Sequence, residues 1–233
     1  MKGISKIAAV VLTIIMVLAA VGCSGDDKIS IGVIQLAEHV ALDSAYQGFV
    51  DALKENGYVD GENITIDYQN AQGDQNNLST ISDRFGSNKV DLVLAIATQA
   101  AQAIAGKTEE IPILGTAITD YVVAKLVDSN EVPGGNVSGT TDMNPIKEQI
   151  DLIVKLAPDA KTIGVLYTSS EDNSILQASI AKDAIEALGL TYAEATVTNT
   201  NDVQQAVESI VGQCDAIYIP TDNTFAASMP IVH

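Results

Sequence analysis

KISIGVIQLAEHVALD, residues 28–43, starts as an apolar strand over Ile29 to Ile34, breaks into a polar loop from Gln35 to His39, and then opens a helix. The chain uses this unit twice. From Ile163 it reads IGVLYTSSEDNSILQ, so that Ile31, Gly32 and Val33 recur as Ile163, Gly164 and Val165, an offset of 163 − 31 = 132 residues. Gly57, which follows the first helix, returns as Gly189 after the second at the same offset, 189 − 57 = 132. A strand-loop-helix unit repeated at that distance predicts two similar lobes.

Outward from this unit, short β-branched or aliphatic runs alternate with helical patterns. Ile29 to Ile34, Ile64 to Tyr68, Asp91 to Ala97 and Ile111 to Leu114 read as strands buried between helices. Leu42, Ala45, Tyr46, Phe49, Val50 and Leu53 recur at helical spacing, and Asn56-Gly57 stops that helix. Asp74 to Asn88 and Gln99 to Gly106 fill the next two gaps. Strands separated by helices pair in parallel through right-handed crossovers, so the fold class is α/β, each lobe a doubly wound parallel sheet. The turn-rich Val132 to Thr141 breaks the rhythm and reads as the crossing between a first lobe, 29–138, and a second, 139–233. Gly139, Thr140 and Thr141 are the expected hinge. The second series runs as strand Thr162 to Tyr167, helix Asn173 to Leu188, strand Thr191 to Thr196, helix Asp202 to Val211 and strand Ala216 to Ile219, with Leu176, Ile180, Ala181, Ala184 and Leu188 as the apolar stripe of its first helix. A last helix begins at Thr224 and runs to His233 with no closing strand after it, so the second lobe is expected to be incomplete.

The beginning of the chain reads as a leader. Lys2 and Lys6 precede a nearly pure apolar run from Ile7 to Val21, too short for a membrane span, and small residues lead into Cys23. Residues 1–22 resemble a bacterial lipoprotein signal, with Cys23 as the lipidated first residue of the mature chain, residues 23–28 as a tether, and Ala20 where such signals more often carry leucine. The expected location is therefore extracytoplasmic, lipid-anchored to the cell membrane. The formal charge of −18 repels nucleic acid and anionic headgroups, so no nucleic-acid partner is expected. With Cys23 acylated, Cys214 is left without a disulfide partner and reads as a small core thiol.

Ligands of an open parallel sheet bind beyond the carboxyl ends of its strands, beside helix amino termini. Here those positions are polar: Gln35 to His39, Thr98-Gln99, Thr116 to Asp120, Tyr167 to Asn173 and Pro220 to Asn223. They offer hydroxyls and N–H donors for a carboxylate, and Glu38, Asp120, Glu171 and Asp222 for an ammonium group. Ser, Thr and Asn ahead of a helix also serve as caps, which is an equal reading of Thr98, Ser174 or Asn223 taken singly. There is no GxxxxGK[ST], GxGxxG or GxSxG motif, and two histidines, one of them His233, supply neither a triad nor a metal cluster. These absences favour a binding module over an enzyme, with no metal and no cofactor.

IGVIQLAEHVALDSAYQGFVDAL, DLVLAIATQAAQA, GTAITD, PGGNVSGTTDM, KTIGVLYTSSEDNS and DAIYIPTDNT together resemble the substrate-binding lipoproteins of ABC importers in the tryptophan/tyrosine-binding group. The resemblance runs from Ile29 to the end. It implies a two-lobed periplasmic-binding-protein fold of type I-like form, an aromatic amino acid (Tyr, Trp or Phe) in the inter-lobe cleft, lobe closure on that ligand, and delivery to a permease with its ATPase. A sensory or adhesive surface lipoprotein with the same fold is the alternative. By position the resemblance implies as ligand contacts Gln35, Glu38, Thr98, Gln99, Thr116, Thr119, Asp120, Tyr167, Glu171, Asn173, Ser174, Thr221, Asp222 and Asn223. Tyr121 departs from the pattern, which tends to have proline after the Thr-Asp pair.

Overall fold

The computed structural model describes residues 28–232; the leader, Cys23 and the tether up to Asp27 lie outside the described residues. The described strands form two all-parallel sheets. In the first, β1 (Ile29–Gln35), β2 (Ile64–Asn70), β3 (Leu92–Ile96), β4 (Ile113–Ile118) and β5 (Val137–Thr141) lie in the order β2-β1-β3-β4-β5. In the second, β6 (Thr162–Thr168), β7 (Thr191–Val197) and β8 (Ala216–Tyr218) lie in the order β7-β6-β8. The repeat seen in sequence is thus a repeat in topology: β2-β1-β3 and β7-β6-β8 are the same three strands of one unit, each pair joined through a helix. α1 (Val40–Glu55), α2 (Gln75–Asn88) and α3 (Thr98–Ala105) serve the first sheet, α4 (Ile146–Leu156) leads into the second, and α5 (Asp172–Ala187), α6 (Val203–Val211), α7 (Asn223–Ala227) and α8 (Met229–Val232) complete the described chain.

Central strands are covered on both faces, which is why they read as unbroken apolar runs. Val33, Ile34, Leu94 and Ile96 are fully buried with Leu78 and Phe85 of α2 and Ile104 of α3, each contributing about 1.5–3 kcal/mol by leaving water. The repeated glycines have one job in both lobes. A Cβ on Gly32 would stand 2.8 Å from the Phe85 ring of α2, and one on Gly164 would stand 2.9 Å from Ile210 Cδ1 of α6 and 2.8 Å from Cys214 Sγ. Each glycine lets the second helix of its unit lie directly on the first strand. Gly57 and Gly189 turn the chain after α1 and α5 with φ of 85° and 73°.

Four expectations change. β4 starts two residues later than Ile111 and continues to Ile118, because the small residues Gly115-Thr116-Ala117, which look like a loop, carry a register shift with Ala117 at φ 55° and still pair. Val137–Thr141, expected as part of the crossing, is the strand β5, pairing with β4 through Val137↔Ile113 and Gly139↔Gly115. The first sheet therefore extends through the residues expected as hinge, and the chain crosses to the second sheet only at Asp142. The buried face of α5 overlaps the expected stripe only in part: Ala181 is inside with Asn173, Ser174, Gln177, Ala178 and Ile185, Ile180 and Ala184 pack half-buried against the same cluster, and Leu188, at the end of the helix, is exposed. Cys214 is half-buried, its thiol 3.2 Å from the Ile210 carbonyl.

Candidate functional site

The carboxyl ends of both sheets point to one cleft, and polar side chains cross it. Gln99 Nε2 of α3 donates to Ser170 O at 2.8 Å, and Gln102 Nε2 to Asp172 Oδ2 at 2.8 Å, so one face of α3 holds the loop that opens α5. Asn144 Nδ2, in the crossing, donates to Thr221 Oγ1 at 2.7 Å. Gln177, fully buried on α5, donates to Thr119 Oγ1 of the first lobe at 3.3 Å and to Thr221 O at 3.2 Å, while its Oε1 accepts from Thr221 N at 3.2 Å. His39 and Asn223 face each other at 3.5 Å.

Two adjoining cavities share Asn223 in their walls. The smaller, about 210 Å³, is lined by His39, Leu42, Ala117, Thr119 and Asp142 on one side and by Asn173, Ile219 to Asn223, Ala226 and Met229 on the other. The larger, about 730 Å³, lies between Leu36, Ala37, Glu38, the Gln72 to Gln75 turn, Gln99 and Gln102 and the facing Ser170, Glu171, Thr198 to Asn201, Asn223 and Thr224. Its size falls within the usual range of small-molecule sites.

Glu171 is the electrostatic centre of the second-lobe wall. It precedes α5 and is almost fully buried; Oε2 accepts from Asn173 Nδ2 (3.2 Å), Ser174 Oγ (3.5 Å), Asn223 N (3.3 Å) and Asn223 Nδ2 (2.7 Å), and Oε1 from Thr224 Oγ1 (3.0 Å). Burial, and then the negative charge of Asp222, push its carboxyl above the ordinary glutamate range, while the Asn223 and Asn173 bonds act in the opposite direction. Asp222 is a fastening: it accepts from Thr168 N at 2.7 Å and Thr168 Oγ1 at 2.8 Å, and from Phe225 N at 2.9 Å as the cap of α7.

The structure gathers most of the residues expected as ligand contacts, in different roles. Glu38, Gln99, Thr119, Glu171, Asn173, Thr221, Asp222 and Asn223 line the cavities. Gln35, Thr98 and Ser174 lie buried behind the walls. Gln35 Nε2 donates to Ala37 O at 2.8 Å and Asp43 Oδ1 at 2.7 Å, both of which can only accept, so its Oε1 is turned away and has no partner. Thr116, Asp120 and Tyr167 are not brought to these cavities. The Thr116 hydroxyl meets that of Thr140 at 3.4 Å within the first sheet. Asp120 accepts from Val122 N (2.9 Å) and Val123 N (2.8 Å) and borders a third hollow, of about 430 Å³, with Tyr121, Gly139 and Met143, which shares Thr119 with the smaller cavity. Tyr167 packs against the apolar cluster on one face of the second sheet and donates to Glu194 Oε2 at 3.2 Å. Asp142, Asn144, Gln102 and Gln177 are the cleft residues the sequence reading passed over. Gln177 had a signal: it lies four residues from both Asn173 and Ala181, on one face of the helix. Among the described residues no group of three or more His, Cys, Asp or Glu could hold a metal ion, and no helix is long and apolar enough to cross a membrane.

Residues 30–233 match the family model for ABC transporter substrate binding proteins. A tyrosine-binding protein of Clostridioides difficile is 47% identical over 203 residues, covering 87% of this chain; the chain spans 59% of that relative's length. Among solved structures, an ABC domain from Streptococcus pneumoniae in complex with L-Trp is 43% identical, with a TM-score of 0.85 over 88% of this chain and 70% of that one. A ligand-free, open substrate-binding protein with adhesive properties from Clostridium difficile is 48% identical, with a TM-score of 0.62 over 87% of this chain and 69% of that one.

Proposed function

Because this chain belongs to the family of ABC transporter substrate binding proteins, we propose that it captures an aromatic amino acid between its lobes and presents the closed form to a permease and its ATPase. One contrast carries this reading. The chain superposes far better on the L-Trp complex (0.85) than on the open, ligand-free relative (0.62), although the open one is the more similar in sequence, 48% against 43%. The lower score of a relative that is open yet closer in sequence fits a different lobe arrangement, and the bridges from Gln99, Gln102, Asn144 and Gln177 fit a closed cleft. A ligand that bridges both walls stabilises that form over the open one by its differential affinity. The relatives' ligands, tyrosine and L-Trp, support the aromatic class.

The site in this reading comprises Glu38, Gln99, Thr119, Asn173, Thr221 and Asn223 at the surface of the cleft, with Gln35, Thr98, Glu171, Ser174 and Asp222 holding them in place. The pivot includes Thr141 at the end of β5 and the crossing that follows. Calorimetry of the purified protein against the twenty amino acids should give micromolar or tighter binding of Tyr, Trp or Phe; heat from none of these three would overturn the substrate class.

The chain works outside the cytoplasm, held to the membrane by a lipid on Cys23. Cys23→Ala should release it into the soluble fraction of the producing cell; a variant that still sediments with membranes would refute that anchor. A surface adhesin is a second reading, favoured by the adhesive properties of the open relative. It predicts adhesion that survives deletion of the permease.

A further inference from the structure

We propose that Asp142 receives the ammonium group of the bound amino acid; this deepens the amino-acid-binding reading above and rests on it. Of the four acids that sequence position suggests for this task, three are tied up within the fold and the fourth lies exposed in the other cavity. Glu171 accepts from five donors, Asp222 accepts from three, Asp120 ties its own loop, and Glu38 is exposed. Asp142 is different. It is the first residue after β5, it lines the 210 Å³ cavity, and its one side-chain donor is Thr119 Oγ1, 3.1 Å from Oδ1. Among the described residues it forms no ion pair.

A second observation points to the same missing donor. Asn173, 5% exposed and lining the same cavity from the other lobe, gives Nδ2 to Glu171 Oε2 and to Thr221 O, a carbonyl that can only accept. Its amide orientation is therefore fixed by its neighbours. Oδ1 is left facing away from them, buried and without a donor. A carboxylate with a free oxygen and an amide oxygen with no donor, on opposite walls of one cavity, is a receptor for a group that carries several N–H bonds and a positive charge. Burial, the largest influence on Asp142, raises its carboxyl above the ordinary range, as expected of an anion partly stripped of water with no cation beside it. Beside the polar His39, Thr221, Asp222 and Asn223, the same cavity wall carries Leu42, Ala117, Ile219, Ala226 and Met229, which are suited to the hydrocarbon part of the ligand.

The test compares L-tyrosine and L-tryptophan with their des-amino analogues, 3-(4-hydroxyphenyl)propionate and indole-3-propionate, by calorimetry on the wild type and on Asp142→Asn. Removing one partner of a buried charge pair weakens binding by about 100-fold. The amino acid should lose about that factor in Asp142→Asn, while the weakly bound des-amino acid changes little. Equal loss for both ligands, or none for either, overturns the proposal and leaves the amino-acid reading standing. A wild type that binds no α-amino acid overturns both. In case the variant does not fold, the wild type gives its own answer: the carboxyl ¹³C titration of Asp142 should shift to lower pH when the amino acid is added, and an unchanged titration overturns the assignment.

Discussion

Gly139→Ala is expected to cost about 3 kcal/mol of folding stability and to detach β5 from β4 around residues 139–141. A Cβ at this position would run into the carbonyl oxygen of Gly115 and the hydroxyl of Tyr121. The first of these is backbone, held in register by the pairing of Gly115 with Gly139, and cannot swing aside. The second is tied as well, since Tyr121 Oη donates to Thr140 O at 3.1 Å. Burial, and then the charge of Asp142, push the Tyr121 phenol up to about 12, so it remains a donor at any physiological pH. Gly139 has an ordinary negative-side backbone, so a side chain fails there for want of space and not for want of conformational freedom. That separates two meanings of a glycine beside a hinge. If Gly139 served flexibility, alanine would change the balance of open and closed forms with little effect on stability. If it serves close approach, urea unfolding will show the loss directly. Gly48→Ala, in the middle of α1 where an added Cβ meets nothing within 4 Å, is the control and should gain up to about 1 kcal/mol. Equal midpoints for Gly139→Ala and wild type would refute the packing argument.

The same pair of strands marks where the sequence could and could not be read. β1, β3 and β6 were legible because strands covered on both faces need consecutive apolar or β-branched residues, and Ile31-Gly32-Val33 and Ile163-Gly164-Val165 announced their own equivalence. β5 was not legible. Ser138, Gly139, Thr140 and Thr141 lie exposed on the described edge of their sheet, where no covering layer demands apolar side chains, so the strand has the composition of a loop. That miss propagated to the site. The rule that ligands lie beyond the carboxyl ends of strands would have selected Asp142 had β5 been recognised, because Asp142 is the residue that follows its end. Gln177 was lost for a related reason. Its helix turns toward the facing lobe over its first turns, and an apolar stripe cannot report a contact made by a polar side chain. The purpose of Gly32 and Gly164 was also out of reach, since nothing local to either residue names Phe85 or Ile210 as the group pressing on it.

Glu171→Gln should preserve the cleft wall and remove a pH dependence, whereas Glu171→Ala should cost about 3 kcal/mol. Four of the five hydrogen bonds reach Oε2, and the fifth, to Oε1, comes from the hydroxyl of Thr224, which can rotate to accept instead. A glutamine amide that keeps its oxygen in the Oε2 position and turns its NH₂ to Thr224 satisfies every partner. Alanine leaves the backbone and side-chain N–H groups of Asn223 without their acceptor and takes one acceptor from Asn173 Nδ2, which keeps Thr221 O. The sign of the pH effect follows from the raised carboxyl: between the ordinary value of 4.5 and the higher folded value, the folded chain holds a proton that the unfolded chain has released. The contribution of Glu171 is therefore fully present below pH 4.5 and declines as pH rises through the folded value, the reverse of a salt-bridged acid. Glutamine has no proton to lose, so Glu171→Gln should gain on wild type as pH rises from 4 to 8, by about 1.4 kcal/mol for each unit by which the folded value exceeds the ordinary one. Urea midpoints at pH 4, 6 and 8 measure this difference. A constant gap between the two proteins would mean that Glu171 keeps its ordinary acidity in the fold. A gap of the opposite slope would mean that the donors from Asn223 and Asn173 outweigh burial and the charge of Asp222, making Glu171 an anion that the second lobe is built to hold.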